Sequence, residues 1–377
     1  VSGRLKLRRG VVVGEEPLTV EVDGERRAAW ADTALLGEMR EGDEVVVNVA
    51  ALDLGLGSGG FDVVHVNLSR GLEGGDAGGA HVMKLNYTSL QHPVEPVEPP
   101  PGSGGRDGEG RGGPADRPGP GPGPSPARPL GGRGAARTPV PVLVLPLHGH
   151  LAPAAWAAAQ AAPGLKLGYV QTAGGALPGS LSRDVAELRE RGLLRGHVTA
   201  APAYGGEHEA ISVAGALDAA AERLGWEAIV AGPGPGIIGS DTRLGHGGTA
   251  ALDTAHAALA LGMPTLLSPR LSAADPRDRH RGVSHHTLTV MRLLLGAVEV
   301  PVPSGGPVAA AQLAEATAQL ATAAGWRHRL REAPADLSGY AASGLPARTM
   351  GRTLEEDPLF FAAALSAGHR LGLSLAG

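Results

Sequence analysis

Two different spacings of hydrophobic and polar residues divide this chain. Up to about residue 92, short apolar or alternating runs succeed one another closely: Leu5–Val13, Leu18–Val22, Arg26–Trp30, Glu44–Val49 and Phe61–Val66. Turn-forming residues separate them at Gly14, Asp23-Gly24 and Glu41-Gly42-Asp43. Alternation puts one face of a strand in a core and the other in water, so each run reads as a β-strand. Asp23-Gly24 is the strongest of these turn signals, because both residues tolerate the positive φ of a two-residue hairpin. Five short strands with close turns predict a small β-barrel-like domain over residues 1–92.

From Val140 the pattern changes. Apolar runs at Val140–Leu147, Leu165–Gln171, His197–Ala203, Glu227–Ala231, Met263–Ser268 and Ala297–Val302 alternate with helical segments. The helices are expected over Ala152–Ala162, Ser182–Arg191, Ala210–Leu224, Thr249–Leu261, Thr287–Leu295 and Val308–Arg331. Continuous apolar strands belong to a sheet covered on both faces. Strand–helix alternation makes that sheet parallel, so residues 139–377 read as a Rossmann-like, doubly wound α/β domain. Between the two domains, residues 93–138 are dominated by proline and glycine with few apolar side chains. Such a stretch cannot bury enough surface to offset its ordering entropy, and a disordered linker is expected there.

Composition narrows the function classes. The formal net charge of −5 demands neither nucleic acid nor an anionic membrane as partner. A short basic strand, with Arg4, Lys6, Arg8 and Arg9, is the one feature favouring nucleic acid, and an exposed strand face accounts for it better. The absence of cysteine excludes disulfides, thiolate metal ligands and a cysteine nucleophile. No apolar run approaches the roughly 18–20 residues of a spanning helix, and the first residues lack the apolar core of a signal peptide. A soluble, cytoplasmic protein is expected. Its partner is expected to be a small anionic ligand; homo-oligomerisation stays open, and no cofactor or metal is specified.

The candidate chemistry lies mostly just after the strands, where doubly wound folds bind ligands. The densest segment is Asp275–Thr287, with Arg277, Arg279, Arg281, His280, His285, His286 and Ser284. Arginines in this number suit a carboxylate or phosphate. Ser284 reads as a helix cap with His285 and His286 in the first turn, able to move protons; the alternative is a salt-bridge cluster with Asp275 and Asp278. His148-Gly149-His150 follows the first strand of the second domain, so His148 can act in proton transfer or share a metal with His150. A capping histidine and a solvated one are the alternative. Gln171–Asp184 brings small residues close to a ligand or simply turns the chain, with Ser180 or Ser182 capping the next helix. Glu207, His208 and Glu209, at an expected helix start, offer a general base or ligands, or merely complement the helix dipole.

Gly234, Gly236 and Gly239 form a literal G-x-G-x-x-G. A dinucleotide site is disfavoured, because the loop runs on to Gly248 and no acidic residue ends the next strand. An anion-binding loop assisted by Thr242 and Arg243 is preferred over a structural crossover. In the tail, Arg348 and Arg352 either cover the cleft or accompany docking of a last helix through Leu359, Phe360 and Phe361.

The segments Ala51–Gly60, His81–Thr88, Gly232–Gly239, Asp275–Thr289 and Thr349–Phe361 give the chain a further identity. It resembles an uncharacterised bacterial family, domain-of-unknown-function family 3866, over nearly its whole length outside the linker. The resemblance implies no activity, substrate or cofactor. From the residues alone, the expected function is an enzyme acting on a small phosphate- or carboxylate-bearing substrate at the carboxyl edge of the sheet. The alternative is a non-enzymatic metabolite sensor or protein-docking module.

Overall fold

A computed structural model describes residues 4–56, 59–72, 75, 78–98, 139–305, 308 and 310–375. Most of the expected linker, residues 99–138, lies outside the described residues.

The amino-terminal strands are β1 (Leu7–Glu15), β2 (Leu18–Val22), β3 (Glu25–Trp30), β4 (Glu44–Asn48) and β5 (Asp62–Asn67), with two single-turn helices, α1 (Thr33–Leu36) and α2 (Ala50–Asp53). They close into a barrel in the order β1-β2-β3-β5-β4. Neighbours are antiparallel except β3 and β5, which run parallel. Alternation fills the barrel: Val12, Val20, Val22, Val45, Val47 and Val64 form its buried core. Asp23 and Gly24 have φ of 52° and 82°, and Val22 pairs with Glu25 across them. That is the two-residue hairpin expected of Asp-Gly.

A hairpin of β6 (Val82–Lys84) and β7 (His92–Val94) joins the barrel to the second domain. Lys84 is buried; its Nζ donates to the carbonyls of Thr199 and Ala203 and lies 2.8 Å from Glu209. The chain stays structured through residue 98, beyond the expected linker start at 93. Val97 N–H donates to the Glu209 carbonyl, and the Glu98 carboxylate accepts from Ile211 N–H at 2.9 Å.

The second domain is built on eight parallel strands: β8 (Val142–Val144), β9 (Leu167–Thr172), β10 (Gly196–Ala200), β11 (His208–Ala210), β12 (Ala228–Pro233), β13 (Thr265–Leu267), β16 (Glu299–Ser304) and β17 (Arg329–Pro334). A two-stranded ribbon, β14 (Leu271–Ser272) and β15 (Gly282–Val283), branches off after β13. The sheet order is β11-β10-β9-β12-β8-β13-β16-β17, all parallel. On one face pack α3 (Leu151–Ala161), α4 (Arg183–Glu190), α9 (Leu337–Ala342) and α10 (Pro358–Leu373); on the other lie α5 (Val213–Glu222), α6 (Ala250–Ala260), α7 (His285–Leu293) and α8 (Ala310–Ala324). Strands β8 to β10 and β12 are buried throughout, which is why they read as unbroken apolar runs. The α3–α10 pair packs backbone against backbone: a Cβ on Gly368 would stand 2.0 Å from the Ala154 carbonyl oxygen.

Two elements correct the expected order. The helix expected from Ala210 begins at Val213, capped by Ser212, and His208–Ala210 is instead the sheet's edge strand β11. The helix expected over Val308–Arg331 ends at Ala324; Gly325, at φ 51°, breaks it, and β17 follows. Both strands are short or charged because each lies at an edge of the sheet, where one side needs no apolar cover.

The topology also places the site. From β8 the chain crosses to β9 on one side, and from β12 to β13 on the other. The carboxyl ends of the adjacent strands β8 and β12 are therefore a switch point, where such folds leave a crevice. Among the described residues, no helix is long and apolar enough to cross a membrane.

Candidate functional site

Above that switch point lies a cavity of about 490 Å³, lined by His148 after β8, Pro235, Gly236 and Gly239 after β12, Arg270 after β13, Arg277, Arg279, His280 and His286 beyond, and Arg348 from the tail. Its charge is organised around Asp275, which is fully buried. Arg277 grips Asp275 with Nε and Nη2, both at 2.9 Å; Arg270 Nη2 lies at 3.1 Å and Arg352 Nη2 at 3.4 Å. Burial opposes ionisation of Asp275, but the hydrogen bonds and charges of Arg277 and Arg270 outweigh it and hold the carboxyl below its ordinary range. Arg352 also binds Asp357, at 3.1 Å, and the Asp357 carboxylate accepts from Ser272 Oγ–H at 2.6 Å. This lattice ties the strand β14, the Arg/His segment and the tail together.

Two guanidiniums are left incompletely satisfied. Arg270 Nε and Arg279 Nε are buried, and neither has a hydrogen-bond partner. Arg270 is only 4 % exposed, and burial pushes its pKa down to about 10 against the pull of Asp275. Arg279 reaches Asp241 through Nη1 at 2.8 Å. An arginine nitrogen can only donate, so each of these atoms lacks an acceptor.

Beside them four histidine rings are packed together. His246 and His286 stack with centroids 3.7 Å apart, while His285 and His280 lie within 5.1 Å of their nearest ring neighbours. Desolvation, reinforced by neighbouring arginines, depresses all four, His280 to about 3 and His286 to about 2; neighbouring rings add to the effect on His280, His285 and His286. They are neutral at pH 7. Ser284 is the residue that organises them. Its Oγ caps α7 by accepting from His286 N–H at 3.2 Å and is 2.7 Å from His280 Nδ1. The expected cap is therefore present, but Ser284 faces histidine rather than the cavity.

His148 reaches the cavity wall by another route. Its Nδ1 lies 3.3 Å from the Pro233 carbonyl and 3.4 Å from the Tyr169 hydroxyl, which gives its own proton to the Gly232 and Pro233 carbonyls, so Nδ1–H donates and Nε2 carries the lone pair. Nε2 is 2.7 Å from Ser182 Oγ, and Ser182 in turn caps α4 by accepting from Val185 N–H at 3.1 Å. Burial lowers the His148 pKa, opposed by Asp184. His148 is thus a neutral acceptor oriented by a backbone carbonyl, the arrangement a general base requires. Both side chains also line a larger cleft of about 900 Å³ between the barrel, at Pro17, Trp30 and Met39, and the sheet edge. His150 points elsewhere: it is fully buried, with Nδ1 2.9 Å from Ser268 Oγ and its ring edge-on to Phe360. The two histidines of His148-Gly149-His150 do not share a site.

The other expected residues divide clearly. Gly236 and Gly239 line the cavity, but Gly234 does not. Gly234 is needed for loop packing, since a Cβ there would stand 2.4 Å from the Ala176 carbonyl oxygen. Thr242 folds back on its own loop, bonded to Ser240 Oγ at 2.8 Å and Gly245 N–H at 3.1 Å. Arg243 is exposed and contributes its carbonyl to His246 Nε2 and Thr289 Oγ1. Arg281 pairs with Asp278 at 3.3 Å, both side chains more than half exposed, and lies off the cavity wall. Glu207 and His208 also lie off that wall: Glu207 binds Arg189 and accepts from His197 N–H at 3.0 Å, and His208 is exposed on β11. In the tail, Arg348 lines the cavity, Arg352 instead closes the salt-bridge lattice behind it, and Leu359, Phe360 and Phe361 are buried in the core, as docking of the last helix requires.

Arg270 and His246 were not singled out in the sequence. Arg270 follows a Ser-Pro pair without any motif, and His246 sits in a glycine run that reads as a turn. A lone basic residue at the carboxyl end of a buried strand was the one available signal for Arg270.

Comparison with known proteins returns a single kind of match. No curated protein and no solved structure matches the chain. A family model does, over residues 28–103 and 135–368, which takes in the later part of the barrel domain, most of the α/β domain and every residue of the cavity wall. The chain therefore belongs to the family described as protein of unknown function, DUF3866.

Proposed function

We propose that this protein binds a small phosphate- or carboxylate-bearing molecule in the cavity at the carboxyl edge of its parallel sheet, and that it acts on that molecule as an enzyme. The observation that carries this reading is the pair of buried donors, Arg270 Nε and Arg279 Nε, without acceptors at the wall of one cavity. Leaving a buried donor unsatisfied costs roughly 1–3 kcal/mol, more for a charged group. An anion with two or three oxygens supplies the missing acceptors. Arg270 and Arg277 are held in place by Asp275, so the receptor is preorganised rather than assembled on binding. His148, a neutral acceptor on the same wall, is suited to take a proton, and His280 and His286 line the wall beside the arginines. The notion of a glycine loop that wraps phosphate receives only partial support, from Gly236 and Gly239.

The test is thermal denaturation of the full chain with inorganic phosphate, sugar phosphates, nucleotides and di- and tricarboxylates. A ligand at 100 times its Kd adds about 2.7 kcal/mol. Arg279→Gln should weaken the responding ligand by about ten- to a hundredfold, the loss of one charged hydrogen bond. If none of these anions stabilises the protein, or if the substitution leaves the response unchanged, the proposal fails. Binding of the responding compound without conversion, followed by NMR, would favour the sensor reading over the enzyme.

A further inference from the structure

The histidines beside the arginines form a second cluster, chemically distinct from the anion cavity. Near one nitrogen each of His246, His285 and His286 the structure has a convergence point: candidate ligand atoms of the three lie within 4.8 Å of one another. His246 Nδ1, His285 Nε2 and His286 Nδ1 are all buried atoms without a hydrogen-bond partner. His246 and His286 are themselves only 5 % exposed. Three orphaned imidazole nitrogens at one place are not expected of a merely structural cluster.

Two further observations bear on what would satisfy them. First, His246 Nε2 donates to the Arg243 carbonyl at 2.9 Å, which fixes the tautomer and leaves the lone pair on Nδ1, toward the cluster. Backing one ring nitrogen with a carbonyl so that the other can ligate is how metal-binding histidines are commonly set. Second, the space in front of these nitrogens is kept open by Gly248. A Cβ there would stand 2.9 Å from His286 Nδ1 and 3.0 Å from His246 Nδ1.

We propose that His246, His285 and His286 bind a divalent transition-metal ion of the zinc class. Nitrogen ligands, in a chain without cysteine, select Zn²⁺ and its neighbours Co²⁺, Ni²⁺ and Cu²⁺ over the oxygen-seeking Mg²⁺ and Ca²⁺. Three protein ligands leave a coordination position free, as in catalytic rather than structural zinc sites. The nearby cations are offset in part: Asp275, shared with Arg277 and Arg352, faces Arg270, and Asp241 pairs with Arg279. His246 and His286 are stacked at 11°, so their lone pairs lie in nearly parallel planes, and binding one ion requires one ring to tilt out of the stack. The proposal does not depend on the anion reading, although His286 also lines the anion cavity.

The experiment is titration of the chelator-treated full chain with Co²⁺ in buffer free of phosphate and carboxylates, read by visible absorption and confirmed by metal analysis. One equivalent with the intense bands of a four- or five-coordinate site is expected. His246→Ala, His286→Ala and Gly248→Ala should each weaken binding at least tenfold, with unchanged far-ultraviolet circular dichroism showing that each variant folds. Arg279→Gln should retain the metal while losing the anion response, which keeps the two proposals separable. Absence of Co²⁺ bands, or binding indifferent to these substitutions in folded variants, would overturn the assignment.

Discussion

Asp275 illustrates what a single residue does here. One buried carboxylate faces three guanidiniums, Arg270, Arg277 and Arg352, so its charge is indispensable even though the net worth of such a cluster against an apolar one is small. Asp275→Asn should destabilise the protein by about 3–5 kcal/mol, because it leaves buried positive charge uncompensated. Urea unfolding at pH 7 would measure the loss; a change below 1 kcal/mol would mean that the arginines relax into solvent. Histidines set a second residue-scale expectation. His150 and His197 are held neutral by burial, with pKa values near 3. Unfolded histidine titrates near 6.5, so below that pH the unfolded chain takes up protons that the native protein refuses. Stability is unaffected above pH 6.5 and falls as pH drops from there toward 3, by about 1.4 kcal/mol per unit for each group. His150→Gln should flatten that slope in urea titrations between pH 7 and pH 5, and an unaltered slope would refute the assignment.

At the scale of elements, the helices owe their positions to small features. Ser182 both caps α4 and holds His148 Nε2. Ser182→Ala should cost roughly 1 kcal/mol for the cap and also free His148 to move; nuclear magnetic resonance of the His148 ring would show whether its orientation depends on the serine. Strand β9 carries a tighter constraint. A Cβ on Gly168 would stand 1.9 Å from Trp226 Cε3, and Trp226 is buried. Gly168→Ala should therefore destabilise by about 1–3 kcal/mol through overpacking, with a red-shifted tryptophan emission if Trp226 is pushed toward water. The same scale shows what the periodicity could and could not convey. The buried strands β8, β9, β10 and β12 are visible as apolar runs because both their faces are covered. Strand β17, with burial on one side only and the sequence Arg-Leu-Arg-Glu-Ala-Pro, carries no such run and reads as the end of a helix.

For the whole molecule, the two domains have separate cores, and a buried cation fastens the connecting hairpin to the second. Lys84, on the connecting hairpin, is 5 % exposed and held by two carbonyls of the second domain and by Glu209. Lys84→Ala removes the counter-charge of Glu209, whose carboxylate still accepts from Thr199 Oγ1–H and Gly205 N–H, and should cost about 3–5 kcal/mol, a loss that a denaturant titration followed by circular dichroism would measure.

Local chemistry determined a great deal. Alternation in the first ninety residues and unbroken apolar runs after Val140 specify a barrel and a covered parallel sheet, because burial on one face or two writes directly into residue order. Asp-Gly specifies its hairpin, and Ser182 and Ser284 specify caps, since each acts on backbone a few residues away. Only the tertiary structure decided which charges are free. Arg277, Arg279 and Arg281 look alike in the sequence and each meets a carboxylate, yet only Arg279 combines a place on the cavity wall with a buried, unpartnered Nε. Arg270 and His246, separated from the Arg/His segment by buried strand and glycine loop, join it because β8 and β12 end side by side at the switch point. Partnership between distant side chains is a property of strand order, and no local pattern carries it.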